Sequence, residues 1–275
     1  VTLPNGAGQT ISYGMAYQGD LGPTYTIDSS DANGHTTQTL KDAWERVVKV
    51  IPEEGSPVSY AYDGLGKLVA ATTGVGTVAI QYDLGGRKLS MNDPDMGSWS
   101  YTYNALGELT AQTDARGCIS NLSYDALGRV TSKTFSGATG CADTPAVSYY
   151  YGGQGFSFLE QNYGGGDNVI GRRTAMLDGS GFTEWSYDQR GRKVSENRRI
   201  YSDTASTQSE TFTTQWTYNS ADLPITMTYP DGETINLAYN NQGQPSSLAS
   251  TEPFTYVRSV LYDEAGRMTG LGLGD

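Results

Sequence analysis

The residues able to do chemistry are few in kind. The chain holds one histidine, His35, and two cysteines, Cys118 and Cys141, among 275 residues. Nucleophilic catalysis of the Ser-His-Asp or Cys-His type needs an imidazole beside the nucleophile. His35 sits in "DANGHT", where Thr or Ser would serve equally well, and is read as a turn residue. Two cysteines and one histidine fall short of a conventional structural zinc site. Cys118 and Cys141 have two readings. One is a disulfide in a secreted protein, closing a loop of roughly 20 residues and stabilising by about 3 kcal/mol; the other is a pair of unrelated thiols. Carboxylates are numerous enough for a glycosidase pair, yet most Asp recur at fixed turn-like positions. "GGGDNVI" from Gly164 and "DSSDANG" from Asp28 resemble calcium-binding strings only faintly, without full ligand spacing. "NLS" at Asn121 is a glycosylation sequon that matters only in a eukaryotic secretory route. No glycine-rich phosphate loop with its Lys-Ser/Thr is present. No catalytic, cofactor-binding or metal-ligating residue is assigned, and the expectation is a protein that is not an enzyme.

What the carboxylates do instead is repeat. "SYDALGRVTSK" at residues 123–133 has close copies along the chain. The motif positions are Tyr62, Asp63 and Gly66; Tyr82, Asp83, Gly86 and Arg87; Tyr103 and Gly107; Tyr124, Asp125, Gly128 and Arg129. They continue at Tyr187, Asp188, Gly191 and Arg192; Tyr218; Tyr239 and Gly243; and Tyr262, Asp263, Gly266 and Arg267. The first four tyrosines are spaced by 20, 21 and 21 residues, and Tyr124 to Tyr187 is 63, three times 21. "KDAWERV" from Lys41 keeps Asp42, Arg46 and Val47 but has Glu45 in the Gly position, a degraded copy. A second turn lies halfway along each unit, as in "DPDMGS" from Asp93, "DARGCI" from Asp114, "DGSGFT" from Asp178 and "YPDGET" from Tyr229. The opening "LPNGAGQTISY" parallels "YPDGETINLAY", so the array already runs at the N-terminus.

Two turns per ~21 residues leave two strands of about six, so each unit is a β-hairpin. Asp opens the turn by bonding backbone two residues on, and Gly three positions later takes the positive φ of a bulge. Tyr ends the incoming strand; Arg begins the outgoing one. Counting back by two gives Tyr103/Tyr101/Trp99, Tyr82/Ile80/Val78 and Tyr239/Leu237/Ile235 on one face. The other face, with Thr102 and Ser100 or Gln81 and Ala79, is small and polar. One hairpin cannot bury such a face alone, so neighbours must cover it. "DAWERVVKVI" reads as turn plus strand rather than helix. The whole of 1–275 is expected to be one array, with longer insertions near 135–170 and 198–212.

Composition narrows the partners. Hydrophobic residues are 37%, with 35 Gly and 20 Tyr, and the formal net charge is −12. That balance argues against nucleic acid and against an anionic membrane surface. No apolar run approaches the ~18 residues of a spanning helix, so membrane insertion by this segment is not expected. Val1 is not the Met of a native start, which suggests part of something longer.

These residues make the chain resemble the RHS/YD-repeat family, which includes shell-forming subunits of tripartite insecticidal toxins, bacterial polymorphic toxins and teneurins. The likeness rests on Tyr-Asp-x-x-Gly-Arg at Tyr62, Tyr82, Tyr124, Tyr187 and Tyr262, with variants at Tyr103, Tyr218 and Tyr239. It implies an all-β fold in which tandem hairpins form a continuous antiparallel strip that spirals into a hollow shell. Cargo-releasing members carry an Asp-Pro-x-Gly terminator; here the chain stops at "GRMTGLGLGD" without one. "NDPDMG" from Asn92 resembles it but occupies an ordinary mid-unit turn.

The expected function is thus a structural array without cofactors, secreted or at the cell surface, that encloses, carries or displays a toxin-type polypeptide. Its partners would be the remainder of a larger repeat polypeptide and an enclosed cargo. The alternative is an adhesion or carbohydrate-binding module, its glycan or receptor contacts made by exposed Phe156, Phe158 and Tyr163. Pairs of units also have the size of a β-propeller blade, but uniform spacing and the absence of a blade-closing signature favour the open strip.

Overall fold

The computed structural model describes residues 10–17, 23–31, 33–141, 143–153, 156–158, 161–163, 166–201, 209–251 and 254–274. At 16–17, 156–158 and 161–163 only the backbone is described. All regular structure among them is β-strand. Contacts divide the chain into two units, Val1–Asn121 with Ser136–Ala142, and Leu122–Phe135 with Asp143–Asp275.

In the first unit the strands are β1 (Thr10–Tyr17), β2 (Pro23–Ser30), β3 (Thr36–Lys41), β4 (Val47–Pro52), β5 (Val58–Tyr62), β6 (Leu68–Thr72), β7 (Thr77–Tyr82), β8 (Lys88–Asp93), β9 (Gly97–Tyr103) and β10 (Leu109–Thr113), followed by β11 (Cys118–Tyr124), whose last residues count with the second unit. Each pairs antiparallel with the next. The second unit holds β12 (Val130–Gly137), whose last two residues count with the first unit, β13 (Val147–Tyr151), β14 (Phe156–Phe158), β15 (Gln161–Tyr163), β16 (Arg173–Asp178), β17 (Gly181–Tyr187), β18 (Lys193–Tyr201), β19 (Ser209–Tyr218), β20 (Pro224–Thr228), β21 (Thr234–Tyr239), β22 (Pro245–Ser250), β23 (Thr255–Tyr262) and β24 (Met268–Leu273). Here too neighbours in sequence pair, except that β13 joins β16 while β14 and β15 form a separate two-stranded ribbon. The other 22 strands belong to one antiparallel sheet.

The motif is a turn with flanking strand ends. At Asp63 the backbone N–H donates to the Lys67 carbonyl at 2.9 Å, and Gly66 N–H donates to the Asp63 carbonyl at 3.0 Å. The Asp63 carboxylate accepts from the N–H groups of Leu65 and Lys67 at 2.9 and 2.8 Å. Gly66 takes φ +83°, and the register slips by one residue between the Ala61/Ala70 and Tyr62/Leu68 pairs. This is a type I turn with a glycine bulge. The degraded copy makes the same turn, with Glu45 forced to φ 63°; Asp222 does likewise at the Asn219 turn.

Faces alternate as the period of two requires: along β9 the Tyr103 side is half-buried and the Ser100 side exposed. Full burial is scarce. Among the described residues only Leu40, Val48, Cys141, Val169, Ala175, Phe182 and Ile235 are buried hydrophobics. The polar second face has a local apolar departure at Tyr150, Ala175, Leu177 and Phe182, which cluster on the side opposite Tyr149 and Trp185. The guanidinium of Arg199 lies 5.4 Å from the Phe182 ring and helps to close that cluster.

The two longer insertions are built differently. Within 135–170, one extension follows β12, and the other lies between Tyr151 and Arg172, inside a motif turn. In 198–212, the flanks Arg198–Tyr201 and 209–212 are paired strand; 202–208 lie outside the described residues. Polar side chains sustain this hairpin because they bond across it, as Thr213 does to Asn197 at 3.0 Å.

Candidate functional site

The residues that repeat most are also those that interact most, and they link each hairpin to the next. In the Arg129 repeat the guanidinium binds the Asp125 carboxylate, with Nε to Oδ2 at 2.7 Å. Its plane then lies 4.4 Å from the ring centroid of Tyr151 in the following hairpin. The Tyr151 hydroxyl donates to the carbonyl of Val130, the residue after that arginine, at 2.9 Å. Carboxylate, cation, ring and carbonyl thus form one lock.

The lock recurs. Arg46 lies 4.7 Å from the Tyr62 ring, and the Tyr62 hydroxyl donates to Val47 at 2.8 Å. Arg87 lies 5.0 Å from Tyr103, whose hydroxyl donates to Lys88 at 2.8 Å. Arg192 lies 4.8 Å from Tyr218, whose hydroxyl donates to Lys193 at 2.7 Å. Arg172 and Tyr187 repeat it at 5.7 Å, with the hydroxyl on Arg173. Lys67 replaces arginine over Tyr82 at 5.5 Å. Where Leu223 or Gln244 takes the cation's position, Tyr239 and Tyr262 still donate to Pro224 and Pro245.

Glycine therefore has a second reason at this position. A Cβ on Gly191 would strike the Arg172 guanidinium, and one on Gly86 would strike the Lys67 side chain. The positive φ of Gly128, Gly107, Gly243 and Gly266 completes the same turn elsewhere.

Electrostatics follow the geometry. The Arg129 and Arg192 guanidinium groups hold the Asp125 and Asp188 carboxyls below the ordinary carboxylate range. At Asp83 and Asp263 the first cause is the backbone N–H of Arg87 and Arg267. Burial raises the Tyr103, Tyr218 and Tyr239 phenols, which keeps them protonated donors. Each contact is modest, roughly 0.5–1 kcal/mol for an exposed cation–π pair and about 1 kcal/mol for a hydrogen bond. Their effect comes from recurrence.

Tyr151 is the motif tyrosine that sequence reasoning missed. It sits in a "YYYGG" run, and its turn is split by the extension, so spacing gave no signal. Yet Gly152 N–H still donates to the Arg172 carbonyl at 2.9 Å, as Asp63 does to Lys67. Arg172 sits at the arginine position of an interrupted motif.

The remaining candidates are not brought together. His35 is exposed in its turn, with Nδ1 3.5 Å from Asp31. Asp93 caps its turn through the N–H groups of Asp95 and Met96. Asn121 donates its amide to Ser136 at 3.1 Å. Cys118 and Cys141 are joined by a disulfide with a Cα–Cα distance of 5.4 Å, which ties the extension after β12 to a mid-unit turn within the first unit. Among the described residues no group of three or more His, Cys, Asp or Glu is placed to hold a metal. The side chains of Phe156, Phe158 and Tyr163, and Gly164 itself, lie outside the described residues.

Residues 103–139 match the family model for the RHS Repeat. No curated protein matches the chain by sequence. Among solved structures it is similar to the TcdB2–TccC3 complex, with 17% identity and a TM-score of 0.70 over 91% of this chain and 15% of that one. It is similarly close to a Tc holotoxin pore of Photorhabdus luminescens, with 17% identity and a TM-score of 0.69 over 91% of this chain and 14% of that one. TcdB2–TccC3 without its hypervariable C-terminal region gives 16% identity and 0.69 over 95% and 15%. The chain thus spans about one-seventh of the length of the structures it matches. Residues 103–139 are thus an RHS repeat by sequence, and the same turn-and-lock unit recurs along the described residues in a fold shared with these structures.

Proposed function

We propose that this chain is a non-enzymatic segment of a secreted or cell-surface RHS shell, part of a larger repeat polypeptide that encloses, carries or displays a toxin-type polypeptide. The observation that carries this reading is the Asp–Arg–Tyr lock. It uses the recurring ionic and phenolic side chains to fasten one hairpin to the next, which is what a wall needs. The fold shared with the TcdB2–TccC3 complex supports a shell, and the disulfide supports an oxidising location. The spiral form of the strip belongs to the same proposal.

Two experiments test it. The purified chain should show no turnover on panels of glycan and ester substrates; clear turnover abolished by a single carboxylate substitution would overturn the non-enzyme reading. In the intact polypeptide from which it comes, a cargo segment should resist protease while the repeats stay folded and become sensitive once they are denatured. Equal sensitivity before and after would remove enclosure from the proposal.

A further inference from the structure

Near the mid-unit turn at Tyr229, β20–β23 of the second unit form an open cleft of about 420 Å³. Its lining is Tyr229, Asp231, Glu233, Ile235, Leu248 and Tyr256. Two aromatic rings, two carboxylates and two aliphatic side chains thus meet with no cation among them. The Glu233 carboxylate is positioned: its Oε1 accepts from the Ser250 hydroxyl at 2.6 Å and from the Tyr256 hydroxyl at 2.7 Å. Asp231 is fixed in the turn by accepting from the Glu233 N–H at 3.0 Å. The negative charge is felt locally, since the hydrogen bond to Glu233, followed by burial and the Glu233 charge, raises the Tyr256 phenol.

Elsewhere this molecule shows what such a set of groups takes. At Tyr62, Tyr103, Tyr151 and Tyr218 a carboxylate and a tyrosine ring are bridged by an arginine that pairs with one and stacks on the other. At Tyr229 and Tyr256 the carboxylates and rings are present, and neither ring carries a cation among the described residues. Both rings are more than a third exposed, at 36% and 46%. We propose that this cleft is a binding site for a guanidinium or alkylammonium group presented on an aliphatic stem, that is, an arginine or lysine side chain of a partner polypeptide.

The parts divide the work. Glu233 and Asp231 attract and pair with the charge, the tyrosine rings offer their negative faces, and Ile235 and Leu248 take the methylene stem. Arginine is preferred over lysine because its plane can stack on a ring while its edge meets a carboxylate. A neutral sugar would use the rings but would leave the paired acidic groups without a counter-charge. The site does not depend on the shell reading, because it is built entirely from side chains within the second unit.

The test uses the whole chain with fluorotyrosine incorporated and 19F resonances assigned by Tyr229→Phe and Tyr256→Phe variants. The probes are a short arginine-containing peptide, its lysine and citrulline counterparts, and a neutral oligosaccharide. Saturable shifts at Tyr229 and Tyr256 are expected with arginine, several-fold weaker with lysine and absent with citrulline. Glu233→Gln, which keeps the hydrogen-bonding shape and removes charge, should weaken arginine binding at least fivefold and leave the circular dichroism spectrum unchanged. The proposal is overturned if citrulline binds as well as arginine, if Glu233→Gln binds equally, or if only the oligosaccharide shifts these rings.

Discussion

Residues 58–113 in the first unit and 147–201 in the second build hairpins in different ways from the same contacts. The first stretch has the motif in regular spacing, with connections of five residues after Tyr62, Tyr82 and Tyr103. In the second, the turn after Tyr151 is opened by an extension that includes the β14–β15 ribbon, and β18 runs to nine residues. Even so, Arg129 stacks on Tyr151 as Arg87 stacks on Tyr103. The array therefore conserves the junction between hairpins rather than the length of any one of them. A turn can be lengthened cheaply once its two ends are held, since loop-closure entropy grows only slowly with length.

Acid gives the broadest test of that comparison because it acts on many turns at once. Asp83, Asp125, Asp188 and Asp263 titrate below the ordinary carboxylate range in the folded chain. A lowered folded value stabilises above the unfolded value of about 4 and loses that contribution as pH falls through the folded one. Urea midpoints should hold from pH 7 to 5 and fall below pH 4. The Asn219 and Asn240 turns make the same backbone bonds without a carboxylate at that position. Hydrogen exchange at pH 3 should therefore open the aspartate turns first. Simultaneous opening of both classes would detach the pH response from the locks.

The largest single-residue effect is expected at the irregular junction. Tyr151→Ala removes a half-buried ring, its stacked cation and a hydrogen bond, and should cost about 2–3 kcal/mol in urea unfolding. Tyr103→Ala should cost the same within error. If Tyr151→Ala costs less than about 0.5 kcal/mol, the second stretch does not use the lock. Arginine comes next. Arg129→Ala should lose about 1–2 kcal/mol, whereas Arg267→Ala should lose under about 0.5. Arg267 keeps its Asp263 partner, but its side chain is 80% exposed, against 26% for Arg129. Equal losses would place the stabilisation in the ion pair rather than the stack.

The Tyr-Asp-x-x-Gly turn was legible because every hydrogen bond that defines it lies within five residues, and the hairpins followed from the alternation of the strands on either side of it. The lock was not. It joins Arg129 to Tyr151 across 22 positions, and nothing in the local string marks an arginine plane as destined for a later ring. The strand pairing of the polar stretch after Arg198 was not legible for a related reason. Where hydroxyl and amide side chains bond across a hairpin, an apolar alternation is not required. Likewise Phe182 lies on the face expected to be small and polar, because Tyr150 and Leu177 make a local cluster there that the average repeat lacks.

Glu45 offers the smallest and cleanest perturbation. It holds φ 63° in a turn whose other contacts match the regular motif, including Arg46 to Asp42 and to the Tyr62 ring. A left-handed conformation costs a side-chain-bearing residue roughly 1 kcal/mol, and glycine takes it without that strain. Glycine also gains freedom in the unfolded chain, which offsets part of the benefit. Glu45→Gly should thus raise stability by about 0.5–1 kcal/mol, with no change in the slope of urea unfolding. The reverse change at Gly191, Gly191→Glu, should lose more than Glu45→Gly gains, because a Cβ there would displace the Arg172 guanidinium from its place over the Tyr187 ring. Symmetric effects at the two positions would mean that backbone strain alone fixes glycine there and that the neighbouring arginine adds nothing.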